Sequence, residues 1–119
     1  MKTTLRLALS ALVLAASPLA FAKTTLVASS PAKDQALDAP PIELRLTFSE
    51  HVDARTCRIK LVSGDGRNID ADRPHGDKAD PNSLVASVPV LRKGSYRARW
   101  TAVGADGHKV HGDFAFSVK

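Results

Sequence analysis

The sequence predicts an all-β domain, a seven-stranded antiparallel β-sandwich of immunoglobulin type, behind an N-terminal export signal. From residue 23 onward, apolar and polar residues alternate with period two almost throughout, which is the pattern of half-buried strands. Turn-forming residues separate these runs at short intervals, and no run has the period of an amphipathic helix. The chain of 119 residues is long enough for one domain and too short for two.

The first 22 residues have the composition of a cleavable secretory signal. Lys2 and Arg6 form a positively charged start, and an apolar run follows over residues 7–16. A run of this length is too short to span a bilayer. Residues 20–22 form a small-x-small cleavage motif, so we expect cleavage after Ala22 and a mature domain of residues 23–119.

Seven strands are predicted in the mature domain, each bounded by Gly, Pro, Asn, Asp or Ser. They cover residues 24–29, 42–49, 56–62, 68–71, 84–88, 95–102 and 113–118. Alternation assigns one face of the longer strands to the core. The predicted inward residues are Ile42, Leu44, Leu46, Phe48, Cys57, Ile59, Leu61, Tyr96, Ala98, Trp100, Ala102, Phe114, Phe116 and Val118. Tyr96, near the start of the sixth strand, is a candidate tyrosine corner.

The cysteine content excludes a disulfide-stabilised domain, and the pattern of charge argues against a nucleic-acid-binding protein. Cys57 is the single cysteine, so an exported domain of this sequence has no internal disulfide. Its place among inward residues predicts a buried core thiol, and a reactive or metal-binding thiol is the alternative. Removal of residues 1–22 takes away two of the 17 basic residues and none of the 12 acids, which leaves a net charge of about +3. The arginines occupy alternating positions that face solvent, and no nucleic-acid-binding motif is present.

Strand parity predicts that the candidate ligands meet at one end of the sandwich. If consecutive strands run alternately up and down, the end where the first strand begins also receives the segments after the second, fourth and sixth strands. We call this end the mouth. It would hold all four histidines, several carboxylates and the new N-terminus. The residues concerned are Glu50, His51, Asp53, Asp72, His75, Asp77, Asp80, Asp106, His108 and His111.

Histidine together with carboxylate is the usual ligand set for Cu(II) and Zn(II) in an oxidising compartment. In an extended segment Asp106 and His108 point to the same side, so both can reach one ion. From the spacing alone, a metal site and a polar hairpin loop both remain open. No nucleophile elbow, phosphate loop or zinc-protease motif is present, so we expect no enzymatic activity.

Several segments of the mature chain, taken together and in order, resemble the CopC family of periplasmic copper-binding proteins. These segments are residues 26–32, 42–50, 94–103, 105–108 and 112–116. The resemblance implies a Greek-key β-sandwich or barrel, a periplasmic location, and a role in copper resistance, trafficking or uptake. It also implies an inner-membrane copper transporter of the CopD type as a partner.

The resemblance implies a Cu(II) site built from an N-terminal histidine, a D-x-H pair and a nearby Glu. Asp106 and His108 match the pair and Glu50 matches the acid, but Lys23 stands where the N-terminal histidine would be. His51 and His111 are the candidate replacements, and His75 is a more distant one. The family's methionine-rich Cu(I) loop corresponds here to residues 63–68, which contain no Met, so we expect no Cu(I) site of that kind.

The sequence therefore predicts a monomeric periplasmic protein that binds Cu(II) at the mouth. The alternative is a module of the same fold that has lost the metal and docks on a periplasmic or membrane partner.

Overall fold

Nine strands and one short 3₁₀ helix form in residues 23–119, the part of the chain that the computed structural model describes. In chain order these are β1 (Leu26–Ser30), β2 (Gln35–Leu37), β3 (Glu43–Phe48), the 3₁₀ helix (Ala54–Thr56), β4 (Arg58–Ser63), β5 (Asn68–Ile69), β6 (His75–Asp77), β7 (Asp80–Ser87), β8 (Gly94–Val103) and β9 (Lys109–Val118). The predicted signal, residues 1–22, lies outside the described residues. Within residues 23–119 no helix is long and apolar enough to cross a membrane.

The strands form two sheets that pack face to face. One has four strands in the order β1-β3-β7-β6, and the other has five in the order β2-β9-β8-β4-β5. All neighbours are antiparallel except β2, which runs parallel to β9. The predicted all-β sandwich is confirmed, with two more strands than expected and one parallel pair.

The core lies between the sheets and contains most of the predicted inward residues of β3, β4, β8 and β9, together with Val52, Leu84 and Leu91, which were not among them. Phe48 meets Trp100 edge to face with ring centroids 5.1 Å apart, and Tyr96 stacks on Phe116 at 5.5 Å. The Tyr96 hydroxyl donates to the Arg92 carbonyl at 2.5 Å, which confirms the tyrosine corner. The contact between Phe48 of β3 and Trp100 of β8 joins the two sheets, whereas Tyr96 and Phe116 are neighbours within the five-stranded sheet.

Ile42 was predicted to be part of this core, and that prediction is wrong, because its side chain is 81% exposed. The residue precedes β3, and its carbonyl accepts a hydrogen bond from Val88 at the sheet boundary. Ile42 therefore continues the alternating pattern of apolar residues in the sequence but lies outside the strand.

Cys57 is fully buried, as predicted. It follows the 3₁₀ helix, and its backbone N–H donates to the Ala54 carbonyl. Burial raises the pKa of its thiol to about 11, so the group stays protonated at neutral pH. This thiol is a packing residue.

The two additional strands lie at sheet edges. β2 adds to β9 over Gln35–Leu37, and β6 pairs with β7 inside the stretch that was expected to be a loop. Both are three residues long, and Leu37 of β2 is their one large apolar side chain, half-buried against the core. Backbone pairing with a neighbour, more than burial of a hydrophobic face, forms them.

The registers define the mouth. Leu26 at the start of β1 lies opposite Phe48 at the end of β3, and Val103 at the end of β8 lies opposite Lys109 at the start of β9. Arg58, at the start of β4, lies opposite Thr101 in the same region. The chain after β3 and the hairpin between β8 and β9 therefore project from the same end as the N-terminal segment.

Candidate metal centre

A tight hairpin loop joins β8 to β9 and carries both Asp106 and His108. The Gly104 N–H donates to the His108 carbonyl at 2.9 Å, and the Gly107 N–H donates to the Gly104 carbonyl at 2.9 Å. Gly107 has φ +84°, a left-handed conformation that glycine adopts without steric cost. The loop thereby turns the chain sharply and presents the two side chains at the mouth.

Asp106 holds the His108 imidazole in a defined orientation. One carboxylate oxygen accepts the His108 backbone N–H at 3.0 Å, and the other lies 3.0 Å from the ring atom Nδ1. Both hydrogen bonds lower the pKa of the Asp106 carboxyl, and the one from the backbone N–H has the larger effect. The His108 side chain is 80% exposed, so a ring held through Nδ1 presents Nε2 to an incoming ion.

Glu50 belongs to the same region through Thr24. The buried Thr24 hydroxyl donates to the Glu50 carboxylate. A methyl group built on Gly104 would collide with Thr24 Oγ1 and lie 3.1 Å from Asp106 Oδ1. The N-terminal segment, the end of β3 and the hairpin loop therefore meet here, and Lys23, which would carry the new N-terminal amine, is the residue before Thr24.

Thr24 and Gly104 were not among the candidate site residues. The hydroxyl of Thr24 connects Glu50 to the hairpin, and the missing side chain of Gly104 makes room for it. Neither residue type signals such a role in a sequence, because the role depends on contacts between segments distant along the chain.

His111 lies two residues after Lys109 on β9, opposite Thr101. It lines a cavity of about 320 Å³ together with Lys23, Thr24 and Trp100. Among the histidines, His108 and His111 are therefore the two that lie on the hairpin next to the N-terminal segment.

His51 lies at the mouth but faces the four-stranded sheet. Its Nδ1 donates to the Pro81 carbonyl at 2.9 Å, and the residue lines a separate cavity of about 380 Å³ with Asp77 and Leu84. The two cavities share no lining residue. This hydrogen bond ties His51 to the start of β7.

The prediction that Asp72 and His75 lie at the mouth is wrong. β5 is only two residues long and ends beside Leu61, so it does not carry the chain back. The Asp72 N–H donates to the Ser87 carbonyl at the opposite end of the sandwich. His75 lies opposite Val85, in the middle of β7.

No group of three His, Cys, Asp or Glu side chains within residues 23–119 is arranged to hold one metal ion. The structure brings Asp106 and His108 into contact and links Glu50 to them through Thr24, while His51 is tied elsewhere. An ion at this place would take an imidazole nitrogen and a carboxylate oxygen from the hairpin, which suit Cu(II), and would need further donors.

Comparison with known proteins gives a consistent result at the level of sequence. A CopC domain matches residues 26–119. The chain is 32% identical over 108 residues to copper resistance protein C of Escherichia coli, which covers 84% of each chain. It is 33% identical over 99 residues to the copper transport protein CutJ of Bacillus subtilis, and this match covers 82% of the chain but only 18% of CutJ.

Solved structures agree with these relatives. CopC from Methylosinus trichosporium superposes with a TM-score of 0.76 at 27% identity, over 81% of this chain and 93% of that one. PcoC, a copper resistance protein from Escherichia coli, gives 0.72 at 31% identity, over 80% and 99% of the two chains.

Proposed function

This chain belongs to the CopC family, and from that premise we propose that it is a periplasmic protein that binds Cu(II) at the mouth. Family membership gives it a copper-related function. The observation that carries the more specific proposal is the contact between Asp106 and His108 at an exposed loop beside the N-terminal segment.

His108 would supply a nitrogen ligand, and Asp106 would either orient that ring or share the ion through its carboxylate. Ionised Asp106 and Glu50 lower the energy of a divalent cation in this region. Glu50 also fixes Thr24, and with it the start of the mature chain. The amine of Lys23 would add a nitrogen donor, and His111 is the histidine on the same hairpin that can replace the missing N-terminal imidazole.

The protein would hold copper rather than transform a substrate. The donors lie on an exposed loop, with no enclosed pocket beside them in the described part of the chain to position a reactant. The similarity to a segment of the longer CutJ, a copper transport protein, supports an inner-membrane copper transporter of the CopD type as the partner.

The experiment that tests this is a Cu(II) titration of the exported protein against a competing chelator, with an EPR spectrum of the complex. Mass spectrometry first establishes that the mature chain begins at Lys23. We expect one-to-one binding at nanomolar or tighter affinity, with nitrogen hyperfine structure. Binding no tighter than micromolar would contradict the proposal and favour the alternative, a metal-free docking module.

A second measurement isolates the amine. Acetylation of the N-terminus removes its ability to ligate copper while leaving every side chain of the hairpin in place. We expect at least about a tenfold loss of Cu(II) affinity, because the complex loses one of its nitrogen donors. The matched control is a chain with one additional residue before Lys23, which keeps an amine but displaces it.

A further inference from the structure

The outer surface of the five-stranded sheet carries most of its charge as cations. We call it the basic face and define it as the outward side chains of β4, β8 and β9. Its charged members are Arg58, Lys60, Arg97, Arg99, Lys109 and Asp113. All of these residues are exposed.

This face accounts for the entire net charge of the mature domain. It holds five of the 15 basic residues in residues 23–119 and one of the 12 acids. The remaining ten basic residues are slightly outnumbered by the remaining eleven acids. The other sheet, in contrast, pairs its outward Arg45 with Asp77 at 2.6 Å.

Within the described residues, the cations of this face have few carboxylate partners. Asp113 is 3.4 Å from Arg97, and that is the single ion pair on the face. Arg58 donates to the carbonyls of Arg55 and Cys57. Lys60 lies directly opposite Arg99, and like charges in that position destabilise a sheet, although Arg99 in turn lies opposite Asp113 on β9. Packing within the domain gives no reason for this arrangement.

We propose that the basic face docks against an acidic surface of a partner protein. An array of exposed cations, most of them without a carboxylate partner, complements carboxylates and raises the rate of encounter with them. The face carries no large exposed apolar side chain that would anchor it in lipid, because Val27, Ile42 and Val90 all lie elsewhere. A protein surface is therefore a better fit than a bilayer.

The basic face is continuous with the mouth. Lys109 and His111 are its members nearest to the hairpin loop, and that same hairpin carries His108. A partner seated on β8 and β9 would lie beside the hairpin. The docking surface does not depend on copper, so its test is carried out on the metal-free exported protein.

The test measures binding of a fluorescent oligoglutamate peptide by anisotropy at low salt. The face variant is Lys60→Glu with Arg99→Glu, and the control with the same charge change is Arg73→Glu with Lys78→Glu, two exposed positions outside the face. We expect the face variant to bind at least about fivefold more weakly than the wild type, and the control less than about twofold. Amide NMR shifts should concentrate on β4, β8 and β9.

Three outcomes would overturn the proposal. Equal losses in both variants would mean that net charge alone binds the peptide. No binding by the wild type at low salt would mean that the face does not take carboxylates. Binding to vesicles of anionic phospholipid without binding to the peptide would assign the face to a membrane surface.

Discussion

The Asp106 carboxylate makes two contacts with His108. It accepts the backbone N–H of His108 and contacts the imidazole of the same residue. The loop conformation and the ring orientation are therefore held by one carboxylate. A histidine prepared in this way loses little side-chain freedom when it binds an ion.

We expect His108→Ala to lower the Cu(II) affinity at least about tenfold, because one of the nitrogen ligands is lost. The melting temperature of the metal-free protein should be nearly unchanged, since an exposed loop side chain contributes little packing. The measurement is a chelator competition together with a thermal melt.

His75→Ala is the matched control, because His75 is also exposed but lies on β6, opposite the middle of β7. It should leave the affinity unchanged. Equal losses in the two variants, or no loss in His108→Ala, would contradict the assignment of the site.

The hairpin between β8 and β9 is the element that brings the site together, and Gly104 is its tightest point. Gly104→Ala places a methyl group against Thr24 and Asp106. We expect unfolding in urea to show a loss of about 1–3 kcal/mol, the usual cost of overpacking, together with weaker Cu(II) binding.

The control for this change is Gly76→Ala, at a strand position with no neighbouring atom within 4 Å of the new methyl group. It should change the free energy of unfolding by less than about 0.5 kcal/mol. If the two alanine variants were equally stable, the contact between the hairpin and Thr24 would not be tight in solution.

Lys60 on β4 and Arg99 on β8 form a cross-strand pair of like charges. Lys60→Glu turns a repulsive pair into an attractive one, and we expect it to stabilise the protein by roughly 0.2–1 kcal/mol. Urea unfolding measures this. A destabilised variant would mean that the two side chains diverge into solvent, and Lys78→Glu is the control for the change in net charge.

Alternating hydrophobicity makes some elements predictable from sequence and hides others. β3 and β8 were predicted because each buries one face over many residues. β6 consists of His75, Gly76 and Asp77, with no apolar residue, and forms because β7 offers a free edge. β5 was expected to return to the mouth but stops after two residues.

The candidate site also contains one arrangement that the sequence predicts and one that it does not. Asp106 and His108 could be paired from their spacing, since two residues apart is a local relation. The direction of His51 could not, because it depends on a carbonyl thirty residues away. Contacts of that range are created by the packing of the sheets.

For the molecule as a whole, stability below neutral pH depends on carboxylates with lowered pKa values. Side-chain hydrogen bonds lower the pKa of Asp53 through Arg55, of Asp65 through Ser63 and of Asp77 through Arg45. A lowered pKa in the folded state means that the ionised group stabilises the fold above its unfolded pKa. That contribution is lost as the pH falls through the folded pKa.

For Asp53 the window runs from the ordinary pKa of the carboxyl, 3.8, down to its pKa in the folded protein, about 2. We expect the melting temperature of the wild type to fall more steeply across this window than that of Asp53→Asn, which keeps the cap of the 3₁₀ helix but cannot titrate. Asp70→Asn is the control for charge. Parallel curves for wild type and Asp53→Asn would contradict the role of this carboxylate.

The burial of Cys57 turns the single thiol into a reporter of how often the sandwich opens. A protonated, fully buried thiol is protected from alkylating reagents and from oxidation catalysed by copper. Alkylation therefore requires the two layers to separate, and its rate in native buffer follows the population of the opened state when closing is fast. Mass spectrometry of Cys57 alkylation, with and without metal, therefore measures how often the domain opens.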